Sequence, residues 1–177
     1  GAAAGPAALR GQLKNLPCHF DEKIQLLDVG DILCVGNDLE SSQQDLSGAT
    51  ASLLHKGIFP IALGGGHEVA FAHGRGVHEF LQQTARPKEL GIINFDAHFD
   101  LRPLENGLGT SGTSFTQLHD LRTQAHKRFH YLCLGVQEVC NTQELFDRAK
   151  IMNVTCILRE DMQGPLHEKI QHTLNAF

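Results

Sequence analysis

No stretch of this chain approaches the roughly 20 consecutive apolar residues that span a bilayer, so a membrane-spanning role finds no support in it. A basic excess is also missing. Fifteen Lys and Arg stand against 20 Asp and Glu, a formal charge of −5, with a pI near 6.1. That balance argues against a nucleic-acid partner. The opening from Gly1 to Ala8 has neither a charged start nor an apolar centre, and does not read as a signal peptide. The five cysteines, Cys18, Cys34, Cys133, Cys140 and Cys156, are odd in number and contain no Cys-x-x-Cys pair. A disulfide framework is therefore not expected, and Cys34, Cys133 and Cys156 fall in apolar runs where a thiol packs as a small hydrophobe. Reduced thiols suit a cytoplasmic compartment. The Gly-Lys-Ser/Thr ending of a P-loop and the Gly-x-Gly-x-x-Gly of a dinucleotide site are both absent. No Ser-His-Asp or Cys-His arrangement and no internal repeat stands out.

What remains is an ordinary globular composition, 41% hydrophobic and 20% charged over 177 residues, enough for one domain with a core. Five short apolar runs read as strands: 32–35, 58–63, Gly91–Phe95, 131–136 and 154–158. They are continuous rather than alternating, as strands buried on both faces are. Helices are expected between and after them, over 41–56 with Ser41 or Ser42 as N-cap, over 67–84, over 142–150 and over 165–177. Gly74 and Gly76 weaken the second of these, and Thr142 offers only an imperfect capping box to the third. Segment 103–114 reads as a Gly-rich loop. Alternating strands and helices imply βαβ units, hence an α/β fold with a central parallel sheet in a three-layer α/β/α sandwich.

The most informative segment is Asp96-Ala97-His98-Phe99-Asp100, directly after the run at Gly91–Phe95. Alternate side chains of an extended segment share a face, so Asp96, His98 and Asp100 can converge on one point. Buried carboxylates need a compensating cation or hydrogen bonds. One imidazole and two carboxylates suit a divalent ion such as Mn²⁺, Zn²⁺ or Fe²⁺. His67 ends Gly64-Gly65-Gly66-His67, also after an apolar run, and is a second candidate ligand. The alternative for that loop is an anion cradle at a helix N-terminus. Glu68 reads as a first-turn helix carboxylate. Arg102 either balances the acidic ligands or grips a substrate carboxylate. Ser111 and Thr113 place hydroxyls in the loop that follows, as turn residues or as substrate contacts.

Gly-Gly-Gly-His-Glu at 64–68, Asp-Ala-His-Phe-Asp at 96–100 and the opening Gly-Ala-Ala-Ala-Gly-Pro-Ala-Ala-Leu-Arg resemble, in order, three motifs of the ureohydrolase or arginase superfamily. Asp-Ala-His-Phe-Asp-Leu-Arg at 96–102, Ser-Gly-Thr-Ser-Phe at 111–115 and Gly-Val-Gln-Glu-Val-Cys-Asn-Thr at 135–142 favour its formimidoylglutamase branch. Phe115 stands where arginases carry a loop histidine. The resemblance implies an arginase-like α/β/α sandwich over 1–177, incomplete at both ends, and a pair of Mn²⁺ ions. It implies His67, Asp96, His98 and Asp100 as metal ligands, Asp100 also as the catalytic proton carrier, and Arg102, Ser111 and Thr113 as substrate contacts. The implied reaction is hydrolysis of N-formimidoyl-L-glutamate to glutamate and formamide in histidine degradation. The partner would be a small amino-acid-derived substrate, with no nucleic acid or membrane, in a protein of a superfamily whose members often form homo-oligomers. The family's late Asp-x-Asp-x-x-Asp-Pro motif has no counterpart here, since the chain contains no Asp-x-Asp. The alternatives are an agmatinase- or guanidinobutyrase-like hydrolase and a non-catalytic half-site domain.

Overall fold

Residues 2–36, 38–85 and 88–162, with Glu168, Ile170, Gln171 and Asn175, are described by a computed structural model. Beyond those four residues, the expected helix over 165–177 lies outside the described part. Strands β1 (Gly91–Phe95), β2 (His130–Val136) and β3 (Thr155–Leu158) form a parallel sheet in the order β1-β2-β3. The register sets Gly91 beside His130 and Leu132 beside Thr155. Helices α4 (Ser114–Gln124) and α5 (Gln143–Ile151) make the two crossovers. Parallel strands need such connections, because a tight turn cannot reverse the chain twice. The α/β reading therefore holds.

β2 is the centre of the molecule. Tyr131, Cys133 and Val136 join Phe99, Leu101, Phe115, Leu118, Leu145 and Ala149 in one buried cluster. Leu132 and Leu134 are also fully buried; alternation places them on the other face of the strand. Burying Leu118 from α4 or Leu145 from α5 contributes about 1.5–3 kcal/mol each. Phe115 stacks on Tyr131 with ring centroids 4.3 Å apart. Of the cysteines, all free, only Cys133 is buried; Cys34 and Cys156 are exposed.

Two expected strands are not strands. Segments 32–35 and 58–63 enter no ladder among the described residues, and Val35 and Phe59 are 78% and 84% exposed. An apolar run supplies side chains for a sheet, but a strand also needs a neighbour for its N–H and C=O groups. The helices differ more gently. α2 (Leu39–His55) begins earlier than expected because Asp38, not a serine, is its N-cap, accepting from the Ser41 N–H at 3.0 Å. α3 (Val69–Gln82) tolerates its glycines for a packing reason. A Cβ on Gly76 would lie 2.6 Å from Thr50 Cβ and against the Ser47 carbonyl, so its absence lets α2 and α3 cross closely. Helix α1 (Gly5–Leu13) and helix α4 were not expected from the sequence. No helix among the described residues is long and apolar enough to cross a membrane.

Where α3 meets α4, His78 is 2% exposed, with Arg122 donating to its Nδ1 at 3.3 Å. An arginine cannot accept, so Nδ1 is the acceptor and the ring proton sits on Nε2. The Gln82 amide, 2.7 Å from Nε2, must then present its oxygen. Burial first, then Arg122 and Lys127, hold the His78 pKa below its ordinary value of 6.5, with Glu79 opposing. A depressed histidine pKa means that the unfolded chain binds a proton the folded chain refuses. Stability is then fully present above about pH 6.5 and falls as pH drops below it. His73, lowered by burial, acts in the same direction and His67, raised by Asp100, in the opposite one, so the His78 share is read as a difference: between about pH 7 and pH 5 His78→Gln should lose less of its urea midpoint than wild type. An equal fall in the variant would assign the acid loss elsewhere.

Candidate metal centre

The segment that carries the candidate ligands leaves β1 still bound to β2. Asp96 N–H donates to the Leu134 carbonyl at 3.0 Å and Gln137 N–H to the Ala97 carbonyl at 3.1 Å. From there burial alternates. Phe99 and Leu101 are 0% exposed, while His98 and Arg102 face out and Asp100 lies between. Inward apolar anchors thus force the polar residues onto one side. Two further bonds hold the turn. Tyr131 Oη donates to the Phe99 carbonyl at 3.1 Å and itself accepts from Asn94 Nδ2 at 3.1 Å. The Cys133 thiol donates to the His98 carbonyl at 3.4 Å. Burial pushes the Cys133 pKa up to about 12, so the thiol keeps its proton and remains a donor. Asp100 takes a left-handed backbone (φ 49°), which aspartate tolerates better than most residues.

His67 arrives from the other side on the glycine loop. A Cβ on Gly5 would lie 2.9 Å from the Gly64 carbonyl, so the N-terminal segment packs against this loop where only glycine fits. The first turn of α4 then ties the two candidate segments together. Ser114 Oγ donates to the His67 carbonyl at 3.0 Å, and Phe115 N–H to the Asp100 carbonyl at 3.2 Å. Phe115 also sets its ring edge-on to His67, centroids 5.7 Å apart.

The result is a focused trio. His67 Nδ1 lies 2.6 Å from Asp100 Oδ2 and 3.2 Å from Asp96 Oδ2. One ligand atom from each of the three residues lies within 4.8 Å of the others. The Asp100 carboxylate raises the His67 pKa, with Asp96 and Glu68 adding and burial opposing. Two carboxylates facing one imidazole leave excess negative charge in a half-buried place, and the donor set fits a divalent cation. His98 stands outside the trio. It is half exposed, its Nδ1 3.2 Å from the other oxygen of Asp96, which also accepts the His98 N–H at 2.9 Å. Arg102 is exposed and lies against Gly112, whose carbonyl accepts the Arg102 N–H at 2.9 Å. Ser111 is exposed beside it. Thr113 is 1% exposed, and its hydroxyl bonds Thr110 and Gln117, so it shapes the loop. Sequence reasoning missed Tyr131, Ser114 and Asn141 as supports, because their contacts are distant along the chain.

Comparison with known proteins places the fold. The Arginase family model matches residues 1–176. A formimidoylglutamase of Ralstonia nicotianae is 45% identical over 179 residues, covering 100% of this chain and 54% of that protein. One of Clostridium tetani is 43% identical over 162 residues, covering 92% of this chain and 48% of that protein. The crystal structure of Trypanosoma cruzi formiminoglutamase with Mn²⁺ superposes with a TM-score of 0.83 at 26% identity, over 99% of this chain and 59% of that one. The chain spans about half the length of the curated relatives it matches.

Proposed function

The chain belongs to the arginase family, and from that premise we propose that the whole protein hydrolyses N-formimidoyl-L-glutamate to L-glutamate and formamide in histidine degradation. The observation that carries this reading is the convergence of His67, Asp96 and Asp100, with an exposed Arg102 two residues further along the chain. His67, Asp96, His98 and Asp100 would hold the Mn²⁺ ions, two in a complete site. For His98 to do so, it would bind through Nε2 while Nδ1 stays beside Asp96 Oδ1, or its ring would turn away from that oxygen. The ions, when bound, acidify water near neutral pH.

The chain's own residues do the rest. Water oxygen bonds to the formimidoyl carbon and the bond from that carbon to the glutamate nitrogen breaks. Asp100 takes one water proton and delivers it to the departing nitrogen, as a general base and then a general acid; the second leaves the oxygen as it becomes the formamide carbonyl and ends on the same nitrogen, so a protonated amidine gives formamide and an ammonium group. Arg102 presents a planar, permanently charged fork to a substrate carboxylate, with Ser111 beside it and Thr113 fixing the loop. Reduced thiols support a cytoplasmic location.

Arg102 is the test of substrate class. Arg102→Ala in the full-length protein should raise KM for formimidoylglutamate ~10-fold or more, the loss of a charge-assisted pair worth about 1.5–3 kcal/mol. An unchanged KM removes that role. Faster turnover of agmatine or guanidinobutyrate than of formimidoylglutamate would move the protein to a guanidino hydrolase.

A further inference from the structure

Of the peptide groups between Asp96 and Asp100, two are gripped by one distant side chain. Asn141 Nδ2 donates to the Ala97 carbonyl at 2.8 Å, and Asn141 Oδ1 accepts the Phe99 N–H at 3.1 Å. The second Nδ2 hydrogen goes to the Gln137 carbonyl at 2.9 Å. Both donors and the acceptor of the amide are therefore engaged. The placement has a structural logic. Up to Ala97 the segment is held by the backbone of β2 and its extension, through Leu134 and Gln137. Beyond Gln137 that backbone coils into a 3₁₀ turn, Glu138–Cys140, and offers no further ladder. The Asn141 amide stands in for the missing peptide and continues the ladder one step, past His98 to Phe99.

We infer that Asn141 is a positioning residue of the metal centre, holding Ala97 and Phe99 so that the ligands at 96, 98 and 100 keep their spacing. This rests on the metal-centre reading above. Few other side chains can do it. Aspartate keeps the acceptor but turns an anionic oxygen onto the Ala97 and Gln137 carbonyls, and alanine removes the acceptor of the Phe99 N–H and leaves those two carbonyls with only their backbone donors, Gln137 N–H and Cys140 N–H. Asn141 touches no ligand side chain among its hydrogen bonds, so its effect passes through the backbone it holds.

The test is a titration of the full-length protein with Mn²⁺ alone, reading free ion by its electron-spin signal, with melting temperatures measured on the same samples. Asn141→Ala and the isosteric Asn141→Asp should each weaken Mn²⁺ binding ~10–100-fold, the range seen when partners behind metal ligands are removed. Leu145→Ala is the control. It hollows the core from α5, and should lower the melting temperature while leaving Mn²⁺ affinity within about twofold, since it bonds nothing in the ligand segment. Wild-type affinity in both Asn141 variants overturns the proposal, as does equal weakening in Leu145→Ala. If neither Asn141 variant folds, the residue is structural and the proposal fails. A wild-type protein that takes up no Mn²⁺ removes the metal-centre reading and this inference together.

Discussion

Asp100→Asn is expected to weaken divalent-ion binding by ~100-fold or more, beyond what loss of a supporting residue costs, and to remove turnover with it. Asparagine has the same shape and accepts the left-handed backbone at φ 49° as readily as aspartate does. The Phe115 N–H still finds the carbonyl at position 100. What changes is charge: the carboxylate 2.6 Å from His67 Nδ1 becomes a neutral amide. The fold should therefore hold, since the two carboxylates face a single imidazole and one of them remains, while the trio loses one of its two anions and the proposed proton carrier. Mn²⁺ titration and thermal melting of one preparation check both halves. Undiminished Mn²⁺ binding would take Asp100 out of the ligand set.

Phe99→Ala is the largest expected effect on stability. The ring is 0% exposed and meets Phe146 edge-on with centroids 5.0 Å apart, and it belongs to the main buried cluster. Truncating a buried phenylalanine costs about 3–5 kcal/mol, from lost transfer energy and from the cavity left behind. That is a large fraction of the roughly 5–15 kcal/mol that holds a typical domain together. Phe99 is also the inward anchor between His98 and Asp100, so Mn²⁺ binding should weaken in whatever protein still folds. Urea unfolding of wild type and variant measures the first effect. A difference below about 1 kcal/mol would mean that the ring is not the anchor described here.

Much of the architecture is legible in the chain. Gly91–Phe95, 131–136 and 154–158 read as buried parallel strands because their apolar runs are unbroken, and all three pair. The runs at 32–35 and 58–63 carry the same pattern, yet a run does not specify its neighbour, and these two enter no ladder among the described residues. α4 escapes because only Phe115, Leu118 and Arg122 of its buried residues show a three- and seven-residue spacing, within a mostly polar stretch after a glycine-rich loop. The candidate ligands are legible because Asp96, His98 and Asp100 are crowded into five residues, although only Asp96 and Asp100 of these join His67 in the trio. Their supports are not. Asn141 reaches Phe99 across 42 positions and Ser114 reaches His67 across 47, distances at which local pattern carries no information.

The central claim is that the full-length protein uses a metal ion at this trio to hydrolyse formimidoylglutamate. Its most direct test is turnover of N-formimidoyl-L-glutamate, followed by release of formamide, before chelation, after removal of metal, and after Mn²⁺ is restored. Activity that disappears with the metal and returns with Mn²⁺ is the predicted result. Full turnover by metal-free protein, or none at all with Mn²⁺ bound, would contradict it.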